Sequence, residues 1–190
     1  QFEFLEDPRK ARGVRHAHSA LLGLLVAGLA AGKRTLRAIE DLAEDLSPVT
    51  RSQLGLRDHV SDTAQYELLV QQESTGFREV VVAQVKAGLE SKAITNDLFP
   101  GGVLTLDGKG AGSGYGERPN ASCRQTVCDA EGTVVWHLYA LRAALTSSSA
   151  CPYLDQEFID NKGWETSTFP RVLRRTVENF PKLFRYVTTD

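Results

Sequence analysis

At 190 residues, with 42% hydrophobic and 24% charged residues, the chain is long enough to bury a core and too apolar to be disordered. A formal net charge of -2 excludes a protein that coats nucleic acid by bulk charge, yet the charge is uneven: Arg9, Lys10, Arg12, Arg15, Lys33, Arg34 and Arg37 follow one another with no acid between them. Cys123, Cys128 and Cys151 make neither a Cys-x-x-Cys pair nor an even set, so they read as reduced thiols of a cytoplasmic protein, not as a disulfide framework or zinc site.

The basic segment leads into an apolar run over residues 20–31, too short for the roughly 20 residues that span a bilayer. Leu21, Leu24, Leu25, Gly28 and Leu29 recur at helical spacing there, with Ser19 as the expected cap and Gly32 as the stop. No membrane segment is therefore expected. A second helix is predicted between Thr35 and Ser47-Pro48, with Leu36, Ile39, Leu42, Ala43 and Leu46 as its apolar stripe and Arg37, Glu40, Asp41, Glu44 and Asp45 on a solvated face. Ser61-Asp62-Thr63 offers cap chemistry for a helix over 64–72, and 77–89 carries Phe77, Val80, Val81 and Val85 at helical spacing.

At Pro100-Gly101-Gly102 the period changes. Residues 103–107 form a continuous apolar run that delivers a carboxylate, Asp107, into a glycine: a buried strand followed by a turn. Residues 108–116, with glycine at 108, 110, 112, 114 and 116, read as a loop, and because Lys109 stands at its start with no Gly-Lys-Ser ending, no nucleotide cofactor is expected. Strands over 124–128 and 134–145 flank a hairpin turn at Asp129-Ala130-Glu131-Gly132. An irregular stretch leads to Thr166-Ser167-Thr168 as caps of a helix over 169–179, which Phe180-Pro181 stops, and a last strand covers 183–189. Trp136, Tyr139, Phe169 and Phe184 are expected in the core, Glu165 as a helix cap, and Trp164 against a partner.

This order predicts a helical region over 1–98 and an α+β or α/β domain over 99–190 whose last strand lies parallel to its first, so that Asp107 and Asp190 close adjacent strands. Two such carboxylates repel unless a cation lies between them, and hard oxygen ligands select Mg²⁺ or Mn²⁺. An aspartate before a glycine is equally a common turn residue, and Lys109 is equally a phosphate contact or a solvated turn lysine. His16 and His18, beside the basic cluster, are expected at the surface.

Read in order, Glu6-Asp7-Pro8-Arg9, Gly13-Val14-Arg15-His16, Ile39-Glu40-Asp41, Val60-Ser61-Asp62-Thr63, Leu106-Asp107-Gly108-Lys109, Thr168-Phe169-Pro170 with Leu173, and Val187-Thr188-Thr189-Asp190 resemble an insertion-sequence transposase of the DDE class, in the group that includes the H-repeat-associated proteins. The resemblance covers nearly the whole chain, although each motif alone is weak. It implies a ribonuclease-H-like catalytic domain with Asp107 and Asp190 as catalytic, metal-binding acids for Mg²⁺ or Mn²⁺. It also implies DNA as partner, both transposon ends and target, with a possible homodimer. DNA contacts are expected from Arg9, Lys10, Arg12, Arg15 and Lys109. The loop after Lys109 departs from the family, with Ala111-Gly112 before Ser113 where a Leu-Arg pair is usual. The family's third acid falls beyond residue 190, and the chain starts at Gln1 without a methionine anywhere, so both ends are expected to be cut and this piece to be inactive alone. The alternatives are a transposase-derived DNA-binding or interaction protein without activity, and a ribonuclease-H-type nuclease or resolvase.

Overall fold

A computed structural model describes residues 2, 5–9, 14–72, 74–117, 123–127, 131–159 and 165–189. Among them the fold is mixed α+β, with six helices and a mixed five-stranded sheet. By its internal contacts the chain divides into two compact units, Gln1–Val80 and Val81–Asp190. Among the described residues no helix is long and apolar enough to cross a membrane.

The first unit is helical: α1 His18–Ala30, α2 Leu36–Asp45, α3 Pro48–Gln53, α4 Asp62–Gln71 and the first turns of α5 Ser74–Glu90. Local chemistry sets most of the starts. Thr35 Oγ1 accepts from the Ala38 amide at 3.1 Å, Ser47 Oγ from Thr50 at 3.1 Å, and Ser61 Oγ from Ala64 at 3.2 Å, each satisfying an amide that the first helical turn leaves open. Proline at the first position of α3 suits a helix start, and it turns the expected end of α2 into the beginning of another helix. Ser19 does not cap α1; the cap position is Ala17, two residues earlier, and no side chain caps the helix. Leu21, Leu22, Leu24, Ile39, Val60 and Leu68 form the core. A Cβ on Gly28 would lie 2.6 Å from Ile39 Cγ1, so the glycine is what lets α1 and α2 approach here.

The second unit contains the rest of α5, then β1 Val103–Tyr115, β2 Arg124–Val127, β3 Val134–Leu145, β4 Tyr153–Ile159, α6 Glu165–Asn179 and β5 Tyr186–Thr189. The order across the sheet is β2-β3-β1-β5, with β4 also on β3. β1 is antiparallel to β3, β3 to β2 and to β4, and β5 runs parallel to β1. The antiparallel β2–β3 pair and the parallel closing strand are as the order of elements predicts, while Asp129 and Ala130 of the expected turn lie outside the described residues. Leu104, Leu106, Leu141, Leu145, Leu154, Val172 and Phe180 fill the core, and Tyr139, Phe169 and Phe184 pack partly buried against it.

Three expectations are corrected here. The irregular stretch after Cys151-Pro152 contains β4, a strand that alternates too little for its period to show because Asp155 is buried and Tyr153 exposed. The expected glycine loop is strand: β1 continues to Tyr115, with a register shift between Gly110 and Gly112. The missing side chains are covered from across the ladder, where Trp136 pairs with Gly114 and lies so close that a Cβ there would be 2.6 Å from the ring. Finally, α6 begins at Glu165, which places Thr166, Ser167 and Thr168 inside the helix and not at its cap.

Candidate functional site

Asp107 lies within β1, not at its end, and is followed by more ladder instead of a turn. Alternation along the strand sends Leu104 and Leu106 into the core and leaves Thr105 and Asp107 on the opposite face. The same face carries the Thr105 hydroxyl, which meets Thr188 of β5 at 2.9 Å and Thr146 at 2.8 Å. Asp107 has a side-chain exposure of 26% and an ion pair with Lys109, two residues on, with Nζ 2.5 Å from Oδ2. The carboxylate is thus reachable and already neutralised by its neighbour.

The parallel ladder joins Val103 to Tyr186 and ends with Leu106 opposite Thr189. Asp190 is the next residue in the chain and lies outside the described residues. Gly101 and Gly102 set this pairing. The Gly102 carbonyl accepts from the Arg185 amide at 3.1 Å and from Tyr186 at 3.2 Å, while Gly102 itself has φ +69° and would place a Cβ 2.7 Å from Phe184 Cα. Only glycine allows both the left-handed backbone and that approach.

Two residues near this stretch of β1 are placed there by the fold alone: the sequence leaves Arg142 unmarked and reads Glu165 only as a helix cap. Arg142 of β3 is the direct partner of Asp107 in register, and its Nε donates to Gln156 Oε1 at 3.1 Å while its guanidinium lies 5.4 Å from the Tyr153 ring centre. Glu165, at the start of α6, rests on the opposite side of β1 in the space that Gly108 leaves open. Its Oε1 is buried and finds no hydrogen-bond partner among the described residues. The sequence spacing of 57 between residues 108 and 165 carries no period, so only the fold brings them together.

The basic candidates separate. Lys10 and Arg12 lie outside the described residues. Arg9 turns inward: Nη2 donates to Asp7 Oδ2 at 2.8 Å and to the His16 carbonyl at 3.0 Å, and its side chain is 14% exposed. The hydrogen bond from the Arg9 side chain is the main reason the Asp7 carboxyl is held below its ordinary pKa. Arg15 remains exposed and lines two clefts, of about 630 and 810 Å³, with Arg9, His59 and Glu67 in one and Arg51 and Arg57 in the other. His16 and His18 are buried, contrary to their expected surface position: His16 Nε2 meets the His59 carbonyl at 3.1 Å and His18 Nε2 meets Gln72 Oε1 at 2.7 Å. Imidazole can satisfy buried backbone and amide groups without holding a charge, which the basic surroundings in sequence concealed. Cys123 is buried and Cys151 exposed, and Cys128 and Trp164 lie outside the described residues.

Among the described residues, the one group of three His, Cys, Asp or Glu side chains close enough to share a cation is Glu40, Glu44 and His59 in the first unit. No protein-family profile, curated protein or solved structure matches the chain.

Proposed function

We propose that this chain is part of a DDE-class transposase with a ribonuclease-H-like sheet, in which Asp107 and Asp190 hold Mg²⁺ or Mn²⁺ for cleavage and joining of DNA. The observation that carries this reading is the parallel β1–β5 ladder, because its last described pair is Leu106 and Thr189 and the following residues of the two strands are Asp107 and Asp190. On this reading each acid follows the last described pair of two neighbouring strands that run in the same direction. The donor chemistry fits: Asp107 presents hard oxygen on a reachable face, with no thiol or imidazole in its described contacts.

A divalent cation bound there supplies an activated attacking oxygen and a stabilised leaving oxygen for in-line phosphoryl transfer. The chain's own contribution is position and charge. The Thr105–Thr188 contact and the Gly102 carbonyl fix β5 against β1, so the acid-bearing strands share one register. Lys109 compensates Asp107 and offers an ammonium for a phosphate oxygen on the same face. The Arg15 clefts supply sequence-independent phosphate contact from the first unit.

The test is cleavage of DNA bearing the element's ends by protein that contains this chain, with Mg²⁺, for the wild type and Asp107→Asn. Loss of cleavage on the order of a thousandfold, with DNA binding retained, is expected. Joined products identify strand transfer; cleavage without joining identifies a nuclease or resolvase. DNA binding without cleavage by the wild type would favour the inactive DNA-binding alternative, whose specific support is the pair of basic clefts.

A further inference from the structure

We propose a second cation site, independent of Asp107, in which Glu40, Glu44 and His59 bind a divalent ion of the zinc class and tie α2 to the segment before α4. The two glutamates are four apart on α2, so both project from one face of the helix, and His59 approaches from the other segment. His59 Nε2 lies 3.1 Å from Glu40 Oε1, and Nδ1 lies 3.1 Å from Glu44 Oε1. One ligand atom from each of the three residues falls within 4.8 Å of the others. Without an ion the imidazole bridges the two carboxylates through its two nitrogens; tetrahedral zinc with bonds of about 2.0–2.1 Å takes one nitrogen and separates its ligand atoms by about 3.3 Å, so binding requires Glu44 to leave Nδ1 and swing to the Nε2 side. Glu44, at 58% side-chain exposure, is free to do so.

Charge and support favour the same occupant. Glu40, Asp41 and Glu44 carry three carboxylates on α2, and the guanidinium of Arg37 bonds two of them, Glu40 Oε2 at 3.0 Å and Asp41 at 3.3 Å. Three carboxylates against one cation leave two negative charges, which one imidazolium halves and a divalent ion cancels. Glu40 is a buried carboxylate, 6% exposed, whose Oε2 is held by Arg37 and by the Asp62 amide at 3.2 Å, leaving Oε1 directed at His59. A ligand oxygen oriented in this way by its partner oxygen is what a metal site requires. Two oxygens and one nitrogen leave a position for water and suit Zn²⁺ or Co²⁺ better than Mg²⁺.

Titration of the whole chain with Zn²⁺ alone, and with Co²⁺ followed by its visible absorption, tests this. The expected result is one equivalent bound, a midpoint of thermal unfolding that rises with Zn²⁺, and NMR shifts of the His59 ring while those of His16, His18 and His137 stay in place. Glu44→Gln and His59→Asn, both at exposed positions, weaken binding about tenfold or more. Absence of Zn²⁺ binding, unmoved His59 resonances in the wild type, or wild-type affinity in the double variant would overturn the proposal.

Discussion

At the scale of single residues, the sheet depends on groups whose cost when removed follows from what surrounds them. Gly102 combines a positive φ with an approach to the Phe184 backbone that no side chain tolerates. Gly102→Ala is therefore expected to destabilise the protein by about 2 kcal/mol, read as a lower urea midpoint, and to loosen the amide protection of Tyr186. Arg175 of α6 bonds Asp155 at 2.8 Å and Glu157 at 2.6 Å on β4, where the Asp155 side chain is 1% exposed. Burial pulls the Arg175 pKa down, but the hydrogen bonds to Asp155 and Glu157 more than offset it and leave it raised. Arg175→Met strands a buried carboxylate and is expected to cost about 3 kcal/mol in the same measurement. Substituting both Arg175 and Asp155 by apolar residues should cost less than Arg175→Met alone, since no unpaired charge then remains.

At the scale of elements, most helices of the first unit were legible because their signals are local. Thr35 and Ser61 stand where a hydroxyl precedes a helical period, and both cap; Ser47-Pro48 reads only as the end of α2, so α3, a short helix without an apolar period, is not legible. The strands were legible where burial gives a continuous apolar run, as at Val103 to Leu106, and illegible where it does not. β4 carries its charge inward because Arg175 arrives from a helix 20 residues later, and the glycine-rich half of β1 is held by Trp136 from another strand. Such information is tertiary, and propensity opposes it. Trp136→Ala is accordingly expected to release the Gly112–Tyr115 half of β1, seen as faster amide exchange there, while the Leu104 and Leu106 half remains protected. For the candidate site, the sequence marks Asp107 and the parallel strand, leaves Arg142 unmarked and reads Glu165 only as a helix cap, because the places of these two depend on register and on the absence of a Cβ at Gly108.

At the scale of the molecule, the proposed DNA contact would have to come from local charge in a chain of net charge -2, so binding is expected to be steeply salt dependent. Arg15→Ala is expected to lower the slope of log affinity against log salt by about 1 without changing sequence preference, whereas Arg9→Ala should mainly destabilise, because Arg9 is occupied by Asp7 and His16. The Asp7 carboxyl is depressed in the folded state, so its contribution is complete above its ordinary pKa and is lost as pH falls through the lower folded value. Thermal midpoints followed from about pH 6 to pH 2 should fall less steeply for Asp7→Asn than for the wild type. The central claim is that Asp107 holds the metal for phosphoryl transfer, and DNA cleavage by protein containing this chain tests it most directly. The account predicts that Asp107→Asn abolishes Mg²⁺-dependent cleavage of the element's ends while DNA binding and the unfolding midpoint stay at wild-type values; cleavage at the wild-type rate would contradict it.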